Sequence, residues 1–207
     1  MLEIFLAFWY IWIILLLFAL YALFKHKLFG HMGESVVRYK LSKLDQNKYR
    51  IINNLMVVVN GKSSEIDHVV VSNSGVFVIE TKNYRGTITG YEKGKEWTQY
   101  INRSKFKFYN PIRQNYGHLL VLKEIFKEYP KIPFIPIVVF TGEAKLKVNA
   151  GSSMVISSKD LLRAIENQNK KVLTDKGIDF IYNKLSSLNS NDKIMRKEHI
   201  ASIKKKK

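Results

Sequence analysis

The chain opens on an unbroken apolar run. Ile4 to Phe24 is 21 residues long and contains no charge, proline or glycine. As a helix rising about 1.5 Å per residue it reaches roughly 31 Å, enough to cross the hydrocarbon core of a bilayer. Trp9, Tyr10 and Trp12 stand towards one end and Tyr21 towards the other, where interfacial aromatics sit. Glu3 precedes the run with no lysine or arginine, and no A-x-A cleavage site follows it. The pattern therefore predicts an uncleaved transmembrane anchor, not a signal peptide. Lys25, Lys27, Arg38 and Lys40 follow the run. The positive-inside rule then places the remainder of the chain in the cytoplasm.

Beyond the anchor the periodicity alternates between helical and extended. Val37, Leu41 and Leu44 predict a helix over Glu34–Leu44. Arg50 to Val59 is rich in Ile and Val and ends at Asn60-Gly61, a hairpin signal. Strands are expected at 66–72 and 76–81, joined by the turn Asn73-Ser74-Gly75. The second is nearly all apolar and so belongs in the middle of a sheet. A further hairpin is expected over 86–91 and 96–101. Asn110-Pro111 starts a helix to about Tyr129, with an N-cap side chain and proline at its first position. Strands at 134–140 and 154–157 and helices at 158–166 and 174–188 close the order. The result is an α/β fold with a mixed sheet flanked by helices, preceded by one transmembrane helix. Its parts are the anchor 1–24, a juxtamembrane linker 25–32, a domain 33–145, an α/β extension of that domain 146–188, and a tail 189–207.

Charge narrows the choice of partners. Lys and Arg total 34 against 17 Asp and Glu, a net +17. The tail 189–207 carries seven basic and two acidic residues and ends in four lysines. It reads as a flexible basic end, able to touch lipid headgroups or nucleic acid. The 25–188 region still holds 27 basic and 14 acidic residues, +13. A polyanionic partner is expected, either nucleic acid or an anionic membrane. Hydrophobic residues make up 46% of the chain, which excludes a disordered basic protein. Cysteine is absent. That excludes a disulfide framework, a thiolate metal site and a cysteine nucleophile.

Candidate chemistry concentrates between Glu65 and Asn83. A period of two puts Glu80 and Lys82 on one face of their strand, with Ile79 and Thr81 on the other. Glu65 and Asp67 share a face of the preceding strand, and His68 alternates away from it. Antiparallel pairing through Asn73–Gly75 brings Asp67 beside Glu80. Two close carboxylates repel unless a cation lies between them. A hard divalent ion with oxygen ligands and water, Mg²⁺ or Mn²⁺, suits such a pair. Lys82 is placed to orient an attacking water and to stabilise charge developing on a phosphate.

An Asp followed on the next strand by Glu-x-Lys is the pattern of the PD-(D/E)xK nuclease superfamily. Here it is Asp67, then Glu80-Thr81-Lys82, 13 residues on; Ile66 occupies the place of the superfamily's proline. Gly33-Glu34, Ile66-Asp67-His68, Gly75 to Asn83, Gly86, Trp97, Asn110-Pro111 with Gln114, and Val138-Val139-Phe140 extend the match. Over about residues 31 to 145 the chain resembles the NERD, or nuclease-related, domain of bacterial, archaeal and plant proteins. The resemblance implies a restriction-endonuclease-like fold and a metal-dependent phosphodiesterase centre. Asp67 and Glu80 would hold the metal and Lys82 would be the catalytic lysine. Glu34 matches the helix glutamate, and Gln114 the glutamine of the later helix.

Plainer readings stand beside these. Glu80 and Lys82 could form a surface ion pair, and Glu34 could be a first-turn carboxylate favoured by the helix dipole. Gln114 and His118 share a helix face at i, i+4, where His118 reads as a histidine satisfied by a neighbour. Arg103, Lys105, Lys107 and Arg113 lie among Trp97, Phe106, Phe108, Tyr109 and Tyr116, a candidate nucleic-acid groove whose aromatics could equally be core. Two functions follow. One is a nuclease anchored in a bacterial cell membrane, hydrolysing DNA or RNA at the cytoplasmic face. The other is a non-catalytic module that tethers nucleic acid or binds anionic lipid.

Overall fold

The computed structural model describes residues 9–189, without the side chains of residues 22–28 and of Lys62. Helix α1 runs from Trp9 to Leu41. The helix expected at Glu34–Leu44 is thus the end of a longer one, and residues 25–32, read as a linker, continue it. Then come β1 (Arg50–Val59), β2 (Lys62–Ser72), β3 (Gly75–Lys82), β4 (Gly86–Tyr91), β5 (Glu96–Ile101) and β6 (Ser104–Tyr109). Helix α2 (Pro111–Ile125) leads to β7 (Phe134–Phe140), β8 (Ala144–Asn149) and β9 (Met154–Ser157). Helices α3 (Leu161–Glu166) and α4 (Asp175–Leu188) follow.

The strands form two sheets, ordered β1-β2-β3-β7-β9 and β6-β5-β4-β8. In the larger, β1, β2 and β3 are antiparallel, while β7 joins β3 in parallel and β9 joins β7 in parallel. A parallel partner needs a crossover, and the small sheet with α2 supplies it. Central β3 is buried over its first seven residues, as its apolar sequence predicts. Val76 and Val78 pack against Leu119 and Leu122 of α2 and Ile178, Ile181 and Leu185 of α4. Phe77 and Ile79 face Val37 and Leu41 of α1 and Leu161 and Ile165 of α3. The mixed α/β architecture, with helices covering both faces of a mixed sheet, agrees with the sequence reading.

Gly33 lets α1 approach the sheet. A Cβ there would lie 2.6 Å from Asn83 Cβ and 2.8 Å from Thr141 Oγ1. Asn83 fastens the same contact by donating to the Phe29 carbonyl at 2.7 Å. Alternation breaks once in β1 and β2. Ile52 and Leu55, three residues apart, pack on one face, and so do Ile66 and Val69. Asn54 sits between the first two in a left-handed conformation (φ 54°). Asp67 lies between the second two, so it does not share a strand face with Glu65 by simple alternation.

The small sheet rests by one face on β7. Ile88 and Trp97 bury against Val138 and Phe140, and the Trp97 and Phe140 rings are nearly parallel with centroids 6.4 Å apart. Its link to α2 is Asn110, which is fully buried. The Asn110 amide donates to the carbonyls of Tyr91, Glu92 and Gly94 at 3.2, 2.8 and 2.7 Å. Its oxygen accepts from the Ile112 N–H at 2.9 Å, which caps the helix. Asn110→Ala would remove the cap and take this donor from the Glu92 and Gly94 carbonyls, while Trp97 Nε1 still donates to Tyr91. A loss of about 2–3 kcal/mol in urea unfolding is expected, with an unchanged m-value.

Among the described residues no helix is long and apolar enough to cross a membrane. The predicted anchor lies partly outside them, since Ile4 to Ala7 and Phe8 precede Trp9. The basic tail lies outside them from residue 190 onward.

Candidate active site

Glu80, near the end of central β3, is the pivot of the site. The residue is 1% exposed. Oε1 accepts from Lys82 Nζ at 2.7 Å, and Oε2 lies 3.2 Å from His118 Nε2. This is a buried pair, which overturns the reading of a surface ion pair. Lys82 Nζ donates its second bond to Gln114 Oε1 at 3.0 Å. His118 Nδ1 lies 2.9 Å from Ser64 Oγ. An ionised carboxylate only accepts, so His118 Nε2 carries a proton.

Local sequence explains the placement. Glu80 and Lys82 continue the parity of Val76 and Val78 and so point towards α2. Gln114 and His118 occupy the first two turns of α2, on one face at i, i+4. The apolar residues of that face begin one turn later, over the core. The polar start of α2 therefore covers the polar end of β3. Asn115, between them and buried, donates to the Val78 carbonyl at 2.9 Å and the Ile137 carbonyl at 3.1 Å. It clamps α2 across the seam of β3 and β7, one residue before Glu80 on β7's side.

Asp67 enters from β2. Its Oδ2 accepts the Thr81 backbone N–H at 2.7 Å. A side chain thus takes the place of a ladder acceptor, which fits the broken alternation. Burial, then the neighbouring Glu80 charge, raise the Asp67 pKa well above the usual carboxylate range. Glu34 adds to that rise, so its charge reaches the site from α1. Its closer contact is His31, 3.5 Å away. Glu34 lies deep in α1, so the first-turn dipole reading does not apply to it. Burial would also raise Glu80, but the Lys82 charge, followed by the His118 hydrogen bond, outweighs it and holds Glu80 low. For Lys82, burial acts downward and Glu80 outweighs it, so the ammonium persists.

His68 stays apart from this array. It faces α1, with Nδ1 2.7 Å from Asn53 Oδ1. Burial, then Arg38, lower its pKa to about 4, so it is neutral at physiological pH. The four basic residues of the candidate groove lie on a strand, a turn and a helix. Lys105 and Lys107 lie on β6, Arg103 in the turn before it, and Arg113 on α2 near the Lys93 carbonyl. Trp97 is core and Phe108 packs beside it, whereas Phe106, Tyr109 and Tyr116 are exposed.

Chain comparison decides the family. A nuclease-related-domain (NERD) family model matches residues 29–141. The chain belongs to the NERD family. An uncharacterized protein of Bacillus anthracis is 36% identical over 181 residues, covering 86% of this chain and 84% of the relative. No solved structure matches. The NERD match spans Glu34, Asp67, Glu80, Lys82 and Gln114 and ends one residue past β7. The structure adds His118, Ser64 and Asn115 to this NERD site. Only the Gln114–His118 spacing hinted at the first of these.

The donor set bears on a metal. Among the described residues no three His, Cys, Asp or Glu side chains converge as a metal cluster. Two oxygen donors are at hand, Asp67 and Glu80, and their mutual repulsion is the mark of a place where a cation is favourable. Two carboxylates match an ion of the Mg²⁺ type, which keeps several waters and shares its coordination with substrate phosphate. The oxygen chemistry of the pair suits such an ion, and both Glu80 oxygens are held in this structure by Lys82 and His118.

Proposed function

We propose that this NERD protein is a metal-dependent nuclease that hydrolyses phosphodiester bonds in DNA or RNA, held at the membrane by residues 4–24. The observation that carries the reading is the buried Glu80–Lys82 pair set beside Asp67, whose charge is disfavoured until a cation arrives. Asp67 and Glu80 would hold the ion. When bound, it supplies Lewis-acid polarisation of the phosphate and lowers the pKa of a coordinated water. Lys82, kept cationic by Glu80, donates to the water or to the phosphate oxygen that gains charge. Gln114 fixes the direction of the ammonium. His118 holds the second oxygen of Glu80 and so fixes the plane of the carboxylate.

Anchoring is supported by the start of α1. From Trp9 to Tyr21 its large apolar side chains are exposed, on all sides of the helix. A helix segment with exposed apolar side chains all round suits lipid. The cytoplasmic placement rests on the lysines that follow. The protein should resist extraction of membranes by alkaline carbonate.

Full-length protein in neutral detergent should cut plasmid and oligonucleotide substrates with Mg²⁺ or Mn²⁺ and stop on addition of EDTA. Salt-sensitive binding without cleavage under any divalent ion would point instead to the non-catalytic module.

A further inference from the structure

We propose that the outer face of the small sheet is the surface on which the nucleic-acid backbone lies. The proposal rests on nucleic acid being the substrate class, but not on cleavage. Register puts the side chains in cross-strand rows. Lys145 of β8 stands beside Thr87 of β4, which faces Tyr100 of β5, which faces Lys105 of β6. The next row is Lys147, Thr89, Thr98 and Lys107. The residues between them along each strand, such as Ile88, Trp97, Phe108 and Leu146, turn to the core beneath. All four lysines are exposed.

The result is two lysine edges with a hydroxyl floor between them. Three strand spacings separate the edges, about 14 Å, and lysines on one edge lie roughly 6.7 Å apart. Glu96 is the one acidic residue in these four strands, and it pairs with Lys107 at 3.5 Å. Lys105 also lies over the Tyr100 ring, 5.6 Å from its centroid. Threonine and tyrosine hydroxyls reach phosphate and sugar oxygens, and lysines neutralise phosphates. The face presents no aliphatic side chain to insert into a bilayer, which favours a phosphodiester backbone over a lipid surface.

The chain ties this face to the site at both ends. Three residues separate Lys82 from β4, and Asn110 joins β6 to the helix carrying Gln114 and His118. The sheet is also fastened through Asn110 to the turn between β4 and β5. β4, β5 and β6 are inserted between two halves of the site, and β8 joins them after β7.

The test is anisotropy of a labelled 20-base-pair duplex and its single strand with full-length protein, in EDTA, across a salt series. Four neutralised phosphates contribute a slope of about 3.6 in log K against log salt, or about 150-fold between 50 and 200 mM. Changing Lys105, Lys107, Lys145 and Lys147 together to Gln should weaken binding at least tenfold and reduce the slope by about 3–4. The pairs Lys105/Lys107 and Lys145/Lys147 should each give about half of that slope change. A control changing Lys123, Lys127, Lys170 and Lys171 to Gln alters net charge equally and should cost less than threefold. Equal losses in the two sets, or no loss from the first, would overturn the proposal. So would loss of binding to phosphatidylglycerol vesicles with nucleic-acid binding kept. Because EDTA prevents cleavage, lost binding counts against this surface alone. Intact binding in a protein that never cleaves counts against the nuclease reading alone.

Discussion

Replacing Lys82 by methionine is expected to lower cleavage by about 10²–10³-fold and to weaken the fold as well. The two effects have separate causes. Methionine fills much of the same space but gives up both hydrogen bonds, to Glu80 and to Gln114. Glu80 is then a buried anion held by His118 alone. Breaking a buried pair in this way costs about 3 kcal/mol or more. In a chain of this length that is a fall in Tm of roughly 6–12 °C. Taken alone, the single variant could therefore lose activity by unfolding. The double variant Glu80→Gln with Lys82→Met isolates the stability effect, because Glu80 is itself a proposed metal ligand whose loss would end cleavage on its own. It removes the stranded charge, and an amide can still accept from His118. Thermal unfolding should return to within a few degrees of the native protein, while cleavage stays at background. Cleavage by Lys82→Met alone, assayed well below its lowered midpoint, reads the catalytic effect; native activity there would show that Lys82 acts only as a structural partner, and the catalytic assignment would fall.

The parts of this site that sequence reveals are those carried by local periodicity. Alternation along β3 places Glu80 and Lys82 on one face, and a turn at Asn73–Gly75 brings Asp67 to them. Neither inference needs a distant contact. Six strands, β1, β3, β4, β5, β7 and β9, fall where apolar alternation and turns predict them, within a residue at each end. β6 and β8 escape the same reading. Their outward positions are lysines and their inward ones are few, Phe108 in one, Leu146 and Val148 in the other. The charge draws the eye and hides the period. Edge strands carry lysine for a physical reason, since it discourages pairing with another chain. β8 and β6 are the two edges of their sheet.

Other features are set by tertiary packing. Gly30 and Gly33 suggest a break before the domain, yet α1 runs through both. Gly33 is needed for close approach to Asn83 and Thr141, a requirement visible only once the helix is seated. Asn53-Asn54 sits inside a strand-like run, and asparagine tolerates the left-handed conformation found at Asn54. That kink, opposite Asp67, is what frees Asp67 to accept the Thr81 N–H. Sequence alone gives no reason to choose this asparagine over its neighbour. His118 is legible as a helix-face companion of Gln114, but its partner Glu80 is 38 residues away.

Asp67→Asn is expected to stabilise the metal-free protein at neutral pH while reducing cleavage to background. The folded protein holds the Asp67 proton more tightly than the unfolded chain does, through burial and then the charge of Glu80. The sign follows from linkage. Such a group contributes its full stability below the pKa of the unfolded carboxyl and loses it as pH rises through the folded value. Native protein therefore gives up stability with rising pH that the asparagine variant does not. Asparagine keeps an oxygen for the Thr81 N–H, so the substitution removes charge without removing that bond. In EDTA the variant should melt higher at pH 7–8 by about 2–4 °C, on the order of 1 kcal/mol. The curves should converge as pH falls below the ordinary carboxylate range, where Asp67 is protonated in both states. Magnesium should narrow or reverse the gap, because ion binding stabilises only the chain with both carboxylates, by RT ln(1 + [L]/Kd). Melting at several pH values, with EDTA and with Mg²⁺, reads all of this in one series. A variant that melts below the native protein at pH 8 in EDTA would mean that Asp67 is held there as a structural hydrogen-bond acceptor, not as a charge waiting for a cation.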